Sequence, residues 1–334
     1  MSFKKIIGHD RQIEHLRNAM RNRRVAHAYL FLGKEGIGKK LVALNIAKAL
    51  NCLRGDEEPC DECRSCLKID HLHHPDVLLV EPHGQWILID QIRDLQRELN
   101  HRPYEGKRRI CIFTGGDQMR QEAANALLRI LEEPPLHTVL ILLAANVDLM
   151  LPTITSRCQR ITFNPLPSER IAEVVRSRLG LEREEAHILA SLADGSLGKA
   201  LQTDLDFVHR GRREIIGKII DLPSYGPEQI LGLAEEMAKG NDDLPMLLTM
   251  IHTWYRDLLS YKERGNGAQL INIDLSHDIH KAAPGTDTPS LIHRMEVIQG
   301  ALWNLERNAN RQITLEAMLL DLATTRGFHG DTWS

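Results

Sequence analysis

The chain has 334 residues and a formal net charge of −3, from 42 basic and 45 acidic side chains, with 43% hydrophobic and 26% charged residues. That balance leaves room for two or three globular domains and excludes both global disorder and a strongly basic coat for nucleic acid. Aromatic residues make up 4%, too few for a base-stacking platform. No apolar run reaches the ~18 residues that suggest a membrane span, and the first ten residues lack the apolar core of a secretory signal.

The first half alternates strand-like and helix-like segments. Residues 28–32 form a short apolar strand that meets Gly33. Residues 39–51 follow with helical spacing, Leu41, Leu44, Ala47 and Leu50 sharing one face. Residues 77–80 read as the next strand. A helix starting near Asp90 turns Ile92, Leu95 and Leu99 inward. Residues 110–113 and 139–143 are further buried strands, and the helix 121–132 between them is stopped by Pro134-Pro135. Continuous apolar strands alternating with helices predict a parallel sheet covered on both faces, an α/β architecture.

The pattern changes at 164–168, where Pro165 and Pro167 mark a linker and Ser168 is a candidate helix cap. Three short helices are expected up to about Thr203, and the remainder reads as all-α. Leu247, Met250, Trp254, Leu258 and Tyr261 lie on one stripe; Leu291, Met295, Ile298, Leu302 and Leu305 on another; Leu315, Met318 and Leu322 on a third. These stripes read as bundle core, although periodicity alone does not separate core from a partner-binding face. Residues 265–287 are the least regular, and there are no internal repeats.

Two constellations carry chemistry. The run 33–40, Gly-Lys-Glu-Gly-Ile-Gly-Lys-Lys, fits G-x4-G-K between a strand and a helix. Backbone N–H groups of such a loop cradle phosphates, and Gly33, Gly38 and Lys39 are the candidate nucleotide-binding residues. The Ser or Thr that should ligate Mg²⁺ is replaced by Lys40, so the loop is degenerate, and whether it binds ATP stays open. The second constellation is Cys52, Cys60, Cys63 and Cys66. Four thiolates at short spacing can close a tetrahedral Zn²⁺ shell, which implies a structural metal. His71, His73 or His74 could replace one ligand, and free surface thiols are the bland alternative. Asp56, Glu57, Glu58, Asp61 and Glu62 make this loop polar. Clustered cysteines outside a disulfide framework fit a reducing, cytoplasmic compartment.

The phosphate loop, the cysteine insert after its helix, the run Asn-Ala-Leu-Leu-Arg-Ile-Leu-Glu-Glu-Pro-Pro at 125–135 and the run Leu-Pro-Thr-Ile-Thr-Ser-Arg-Cys-Gln at 151–159 stand in that order. Together they resemble the bacterial DNA polymerase III clamp-loader subunits of the AAA+ family. Ile7-Gly8-His9-Asp10 and Ile89-Asp90-Gln91-Ile92-Arg93 also fit. The resemblance implies a P-loop AAA+ sheet domain at 1–163 with a zinc insert at about 52–66, a three-helix lid at 164–204, and a helical collar for oligomerisation at 205–334. The last third is compatible with that collar but carries no motif.

Within this family the residues point to the non-hydrolysing stator and away from the ATP-hydrolysing motor. The Mg²⁺-binding Asp and water-activating Glu should stand where Thr114 and Gly115 are, and Asp117 lies too far along to restore them. The polar first sensor falls near Ala145. The second sensor's arginine falls at Gly198, with Lys199 off by one. What remains is Arg157 in Ser156-Arg157-Cys158, which the family uses as a finger into a neighbour's ATP site; the bland reading is a surface salt bridge. The resemblance implies as partners tau/gamma-like motor subunits and a clamp-gripping delta-like subunit, with the sliding clamp and primed DNA reached through the complex, and no membrane. An active motor subunit is one alternative, which would need acids where Thr114 and Gly115 stand. A zinc-dependent DNA-binding module is another, disfavoured by the acidic insert, although Arg21, Arg23 and Arg24 could touch a phosphate backbone.

Overall fold

The computed structural model describes residues 2–3, 6–55, 57–240, 243–307 and 309–324. Two compact units divide the chain: Met1–Pro167 with Gly195–Lys199, and Ser168–Asp194 with Ala200–Ser334.

In the first unit, helix α1 (Asp10–Arg21) precedes β1 (Ala28–Leu32), α2 (Lys39–Asn51), α3 (Arg64–Asp70), β2 (Val77–Val80), α4 (Ile89–Leu99), β3 (Arg109–Thr114), α5 (Gln121–Glu132), β4 (Thr138–Ala144), the single turn α6 (Pro152–Thr155) and β5 (Gln159–Thr162). The five strands form one parallel sheet in the order β2-β3-β4-β1-β5. Alternation along each strand sends Tyr29, Phe31, Ile110, Ile112, Val139 and Ile141 to the face covered by α1, α2 and α3. Leu30, Cys111, Phe113, Leu140 and Leu142 go to the face covered by α4, α5 and α6. The chain leaves β1 toward one edge of the sheet and leaves β4 toward the other. The carboxyl ends of these adjacent strands are therefore a switch point, where such sheets place their sites.

Four of the five strands coincide with apolar runs in the sequence; β5 does not. It is an edge strand in which only Ile161 is buried, so it shows no apolar run. Helix α2 also differs from its expected single stripe. Leu41 and Leu44 are half-buried, whereas Val42, Ala43 and Ile46 are buried completely. The helix is enclosed on nearly all sides, and even Asn45, Lys48 and Asn51 are buried.

The second unit contains no strand among its described residues. Its helices are α7 (Ser168–Leu179), α8 (Arg183–Leu192), the end of α9 (Leu197–Gln202), α10 (Leu205–Asp221), α11 (Pro227–Lys239), α12 (Leu244–Arg264), α13 (Ser276–Ala282), α14 (Thr288–Glu306) and α15 (Arg311–Thr324). Ser168 is the first helical residue of α7. Leu247, Met250, Trp254 and Leu258 of α12 are buried, as are Leu291 and Ile298 of α14 and Leu315, Met318 and Leu322 of α15. The irregular stretch before α13 is anchored by buried Asp257, which accepts hydrogen bonds from Ile271 N at 3.0 Å and from Asn272 N at 2.7 Å. A side chain thus satisfies backbone groups that no helix or strand pairs there. No helix among the described residues is long and apolar enough to cross a membrane.

Candidate functional site

Helix α2 links two loops that carry chemistry. At its C-terminus Cys52 is the cap, with its backbone extended at φ −63° and ψ 135°, which turns the chain outward. Cys63 caps the start of α3, and its Sγ accepts from Cys66 N at 3.5 Å. Cys60 Sγ accepts in the same way from Cys63 N at 3.3 Å. The four Sγ atoms lie within 4.8 Å of one another, with Cys60 and Cys66 sulfurs 4.0 Å apart. A tetrahedral Zn²⁺ with Zn–S near 2.3 Å sets S···S at about 3.8 Å, so the set fits a thiophilic ion with no position left for substrate.

Burial acts to raise the Cys63 thiol, yet N–H groups of Cys66 and Leu53 and neighbouring thiols bring it down to about 6. Burial pushes Cys66 the other way, above the ordinary thiol range. The histidine alternatives stand outside the sulfur cluster. His71 and His73 are exposed, while buried His74 uses Nδ1 to accept from Asp76 N at 3.1 Å. The insert is less peripheral than its polar sequence suggests, because Cys52, Cys66 and Ile69 are fully buried. Its acidic residues have partners: Glu58 pairs with Arg17, and Glu57 with Arg21 at 3.3 Å. That pairing occupies one of the arginines considered for DNA; Arg23 and Arg24 are exposed.

At the other end of α2 the phosphate loop follows β1. Gly33 N donates to Ala144 O at 3.1 Å, and Gly38 caps α2 at φ 108°. Lys39 is only 8% exposed. Its ammonium donates to Gly33 O and to Lys34 O at 2.7 Å. Burial lowers its pKa, against the opposing pull of Asp117. Gly36 O accepts from Gly198 N at 2.9 Å, and Ile37 O from His9 Nε2 at 2.8 Å. Four carbonyls of the loop, at 33, 34, 36 and 37, are therefore held by groups of this chain. Lys40 pairs with Glu81 at 2.9 Å.

The remaining nucleotide positions are occupied in the same sense. Thr114 ends β3, and Gly115 has φ 76°, where a Cβ would lie 2.6 Å from Gln118 Oε1. A glutamate there would be strained by the left-handed backbone. Asp117 accepts from Ala145 N at 2.9 Å and Asn146 N at 2.7 Å, so it braces the end of β4. A Cβ at Gly198 would meet Gly36 O at 2.7 Å. An arginine at that position does not fit without moving the phosphate loop.

Arg157 sits in the turn between α6 and β5. Its side chain is 38% exposed, and Nη2 pairs with Glu132 Oε1 at 2.8 Å while Nη1 donates to Thr153 O at 3.0 Å. Glu132 ends α5 within the Leu-Glu-Glu-Pro-Pro run. Two of the sequence motifs thus meet in one exposed ion pair. Such a pair contributes little stability and holds the guanidinium in a defined place.

A parallel five-stranded sheet with a glycine-rich loop and helix after β1, the neighbour of central β4, followed by an all-helical region, defines an α/β protein with a P-loop-type turn. The family model described as "DNA polymerase III, delta subunit" matches residues 8–167, and its C-terminal counterpart matches 211–324. The DNA polymerase III subunit delta' of Bacillus subtilis is 32% identical over 315 residues, covering 92% of this chain and 94% of the relative. The delta' subunit of Pseudomonas aeruginosa is 30% identical over 314 residues, covering 90% and 93%. The tau subunit of B. subtilis is 34% identical, but over 205 residues that cover 60% of this chain and 36% of tau. The chain belongs to the DNA polymerase III delta' subunit family.

Proposed function

We propose that the chain is the non-hydrolysing stator of a DNA polymerase III clamp loader and supplies Arg157 to a neighbouring subunit's ATP site. Membership of the delta' family carries the clamp-loader assignment. The observation that most favours the non-hydrolysing role is that Lys39 and Asp117 are both bonded to the chain's own backbone. Phosphoryl transfer catalysis is almost entirely positioning and charge stabilisation. A site with Thr114 and Gly115 in place of its acids has neither. Arg157, by contrast, stays exposed on a well-defined turn.

In this reading the partners are tau/gamma-like motor subunits and a clamp-gripping delta-like subunit, with the clamp and primed DNA engaged through the assembly. Residues 1–163, 164–204 and 205–334 would serve as AAA+ domain, lid and collar. The four cysteines would hold one structural Zn²⁺, which supplies a cross-link between α2, the loop and α3. A reducing cytoplasm would keep those thiols available. The direct test is steady-state ATP turnover by the isolated chain. Turnover at background level is expected; turnover that vanishes on Lys39→Ala would overturn the reading.

A further inference from the structure

Lys48 lies on α2 one turn before Cys52, and its side chain is completely buried. Its ammonium donates to Asp61, which lies between Cys60 and Cys63, and to both carboxylate oxygens of Asp70 at 3.0 Å. Asp70 ends α3, the helix that carries Cys66. Three segments bearing the four sulfurs, α2, the turn 60–63 and α3, therefore meet on one cation. The backbone of Asp61 is left-handed at φ 59°, a conformation that side chains other than glycine adopt seldom and asparagine or aspartate most readily. The turn that presents Cys60 and Cys63 is thus held in an uncommon shape, and Lys48 is one of the groups that hold its central carboxylate.

We propose that Lys48 is a positioning residue for the metal site, setting the spacing of the four thiolates through Asp61 and Asp70. The proposal rests on the reading of the cysteines as a metal centre. Charge balance points the same way. Four thiolates around a divalent cation leave excess negative charge, and two carboxylates stand beside them; a buried ammonium offsets that charge where water does not. The competing role is purely architectural, a buried ion pair that stabilises the fold whether or not metal is bound.

The test uses the full-length chain as wild type, Lys48→Met and Asp61→Asn. The asparagine variant tolerates the left-handed backbone and removes only the charge, so it makes the test without emptying a buried site. Zinc transfer to a chromogenic chelator is timed, and the thermal midpoint is measured with zinc and after chelation. Both variants should hold zinc roughly 10–100-fold less tightly, the usual scale for lost outer-shell partners, and release it faster. Their midpoints should fall more in the zinc form than in the metal-free form, and Lys48→Arg should recover part of the retention. Unchanged release, with midpoints lowered equally in both forms, would overturn the proposal. Wild-type protein holding no zinc when purified without chelator would instead remove the metal reading beneath it.

Discussion

The two loops at opposite ends of α2 satisfy their polar atoms in opposite ways. At the C-terminal end four sulfurs converge on one another and N–H groups aim them at a shared centre. At the N-terminal end the lysine and the loop carbonyls are closed on the chain itself. Both loops carry a recognisable spacing, but the sulfurs of one face each other at metal-ligand distances while the lysine of the other is turned onto the loop's own carbonyls. A motif therefore indicates a shape, and the partner of each polar atom indicates whether that shape is still available to a ligand.

Removing the metal should produce the largest change. Cys63→Ser or chelation is expected to abolish stoichiometric zinc, about one ion per chain, read by elemental analysis. Because Cys52, Cys66 and Ile69 are buried, the loss should also lower the thermal midpoint. Protein that retains the ion after Cys63→Ser would break the contrast between the loops.

A smaller loss is expected from Asp76→Asn. Buried Asp76 accepts from Tyr104 N at 2.7 Å, Glu105 N at 2.9 Å and Gly106 N at 2.7 Å, and faces Arg109. Glu105 in turn holds Lys68 of α3 at 2.6 Å, so this network backs the metal loop from the sheet side. Leaving a buried arginine without its carboxylate costs about 3–5 kcal/mol. Burial acts to raise the Asp76 pKa, but the three N–H donors and Arg109 outweigh it and the net shift is downward. A depressed carboxylate contributes stability that is full above its unfolded pKa of about 3.9 and is lost as pH falls through the lower folded value. The variant should therefore be less stable at neutral pH and show a flatter acid limb in denaturant titrations below about pH 4.

Placing a side chain at Gly198 should have the smallest of these effects. Gly198→Arg places a Cβ 2.7 Å from Gly36 O, and overpacking of this kind costs about 1–3 kcal/mol. The thermal midpoint should drop without any gain of ATP turnover. An undiminished midpoint would show that the phosphate loop is less firmly closed than its hydrogen bonds imply.

The legible parts of the molecule were those built from neighbouring residues. Strands β1 to β4 are continuous apolar runs, and the cysteines fall close enough in sequence for their spacing to imply a common centre. Strand β5 was hidden because one buried Ile161 among exposed neighbours makes no pattern. The face of α2 was misjudged because a helix covered by sheet, α1 and α3 has no solvent side to break the period. Lys48 was invisible for another reason: an ammonium on a helix reads as a solvated charge until Asp61 and Asp70 are brought to it from 13 and 22 residues away. The pairing of Arg157 with Glu132 joins two motifs that the sequence showed only separately.

This chain is expected to contribute to ATP hydrolysis only in trans. Single-turnover hydrolysis by a reconstituted clamp loader, carrying either wild-type chain or Arg157→Ala, tests it most directly. Arginine fingers in P-loop enzymes are worth about 10³–10⁵ in rate. One neighbouring motor site should lose most of its hydrolysis while the complex still assembles, and Arg157→Lys should rescue poorly because an ammonium lacks the planar fork. Unchanged hydrolysis and clamp loading would contradict the account and leave Arg157 as no more than the partner of Glu132.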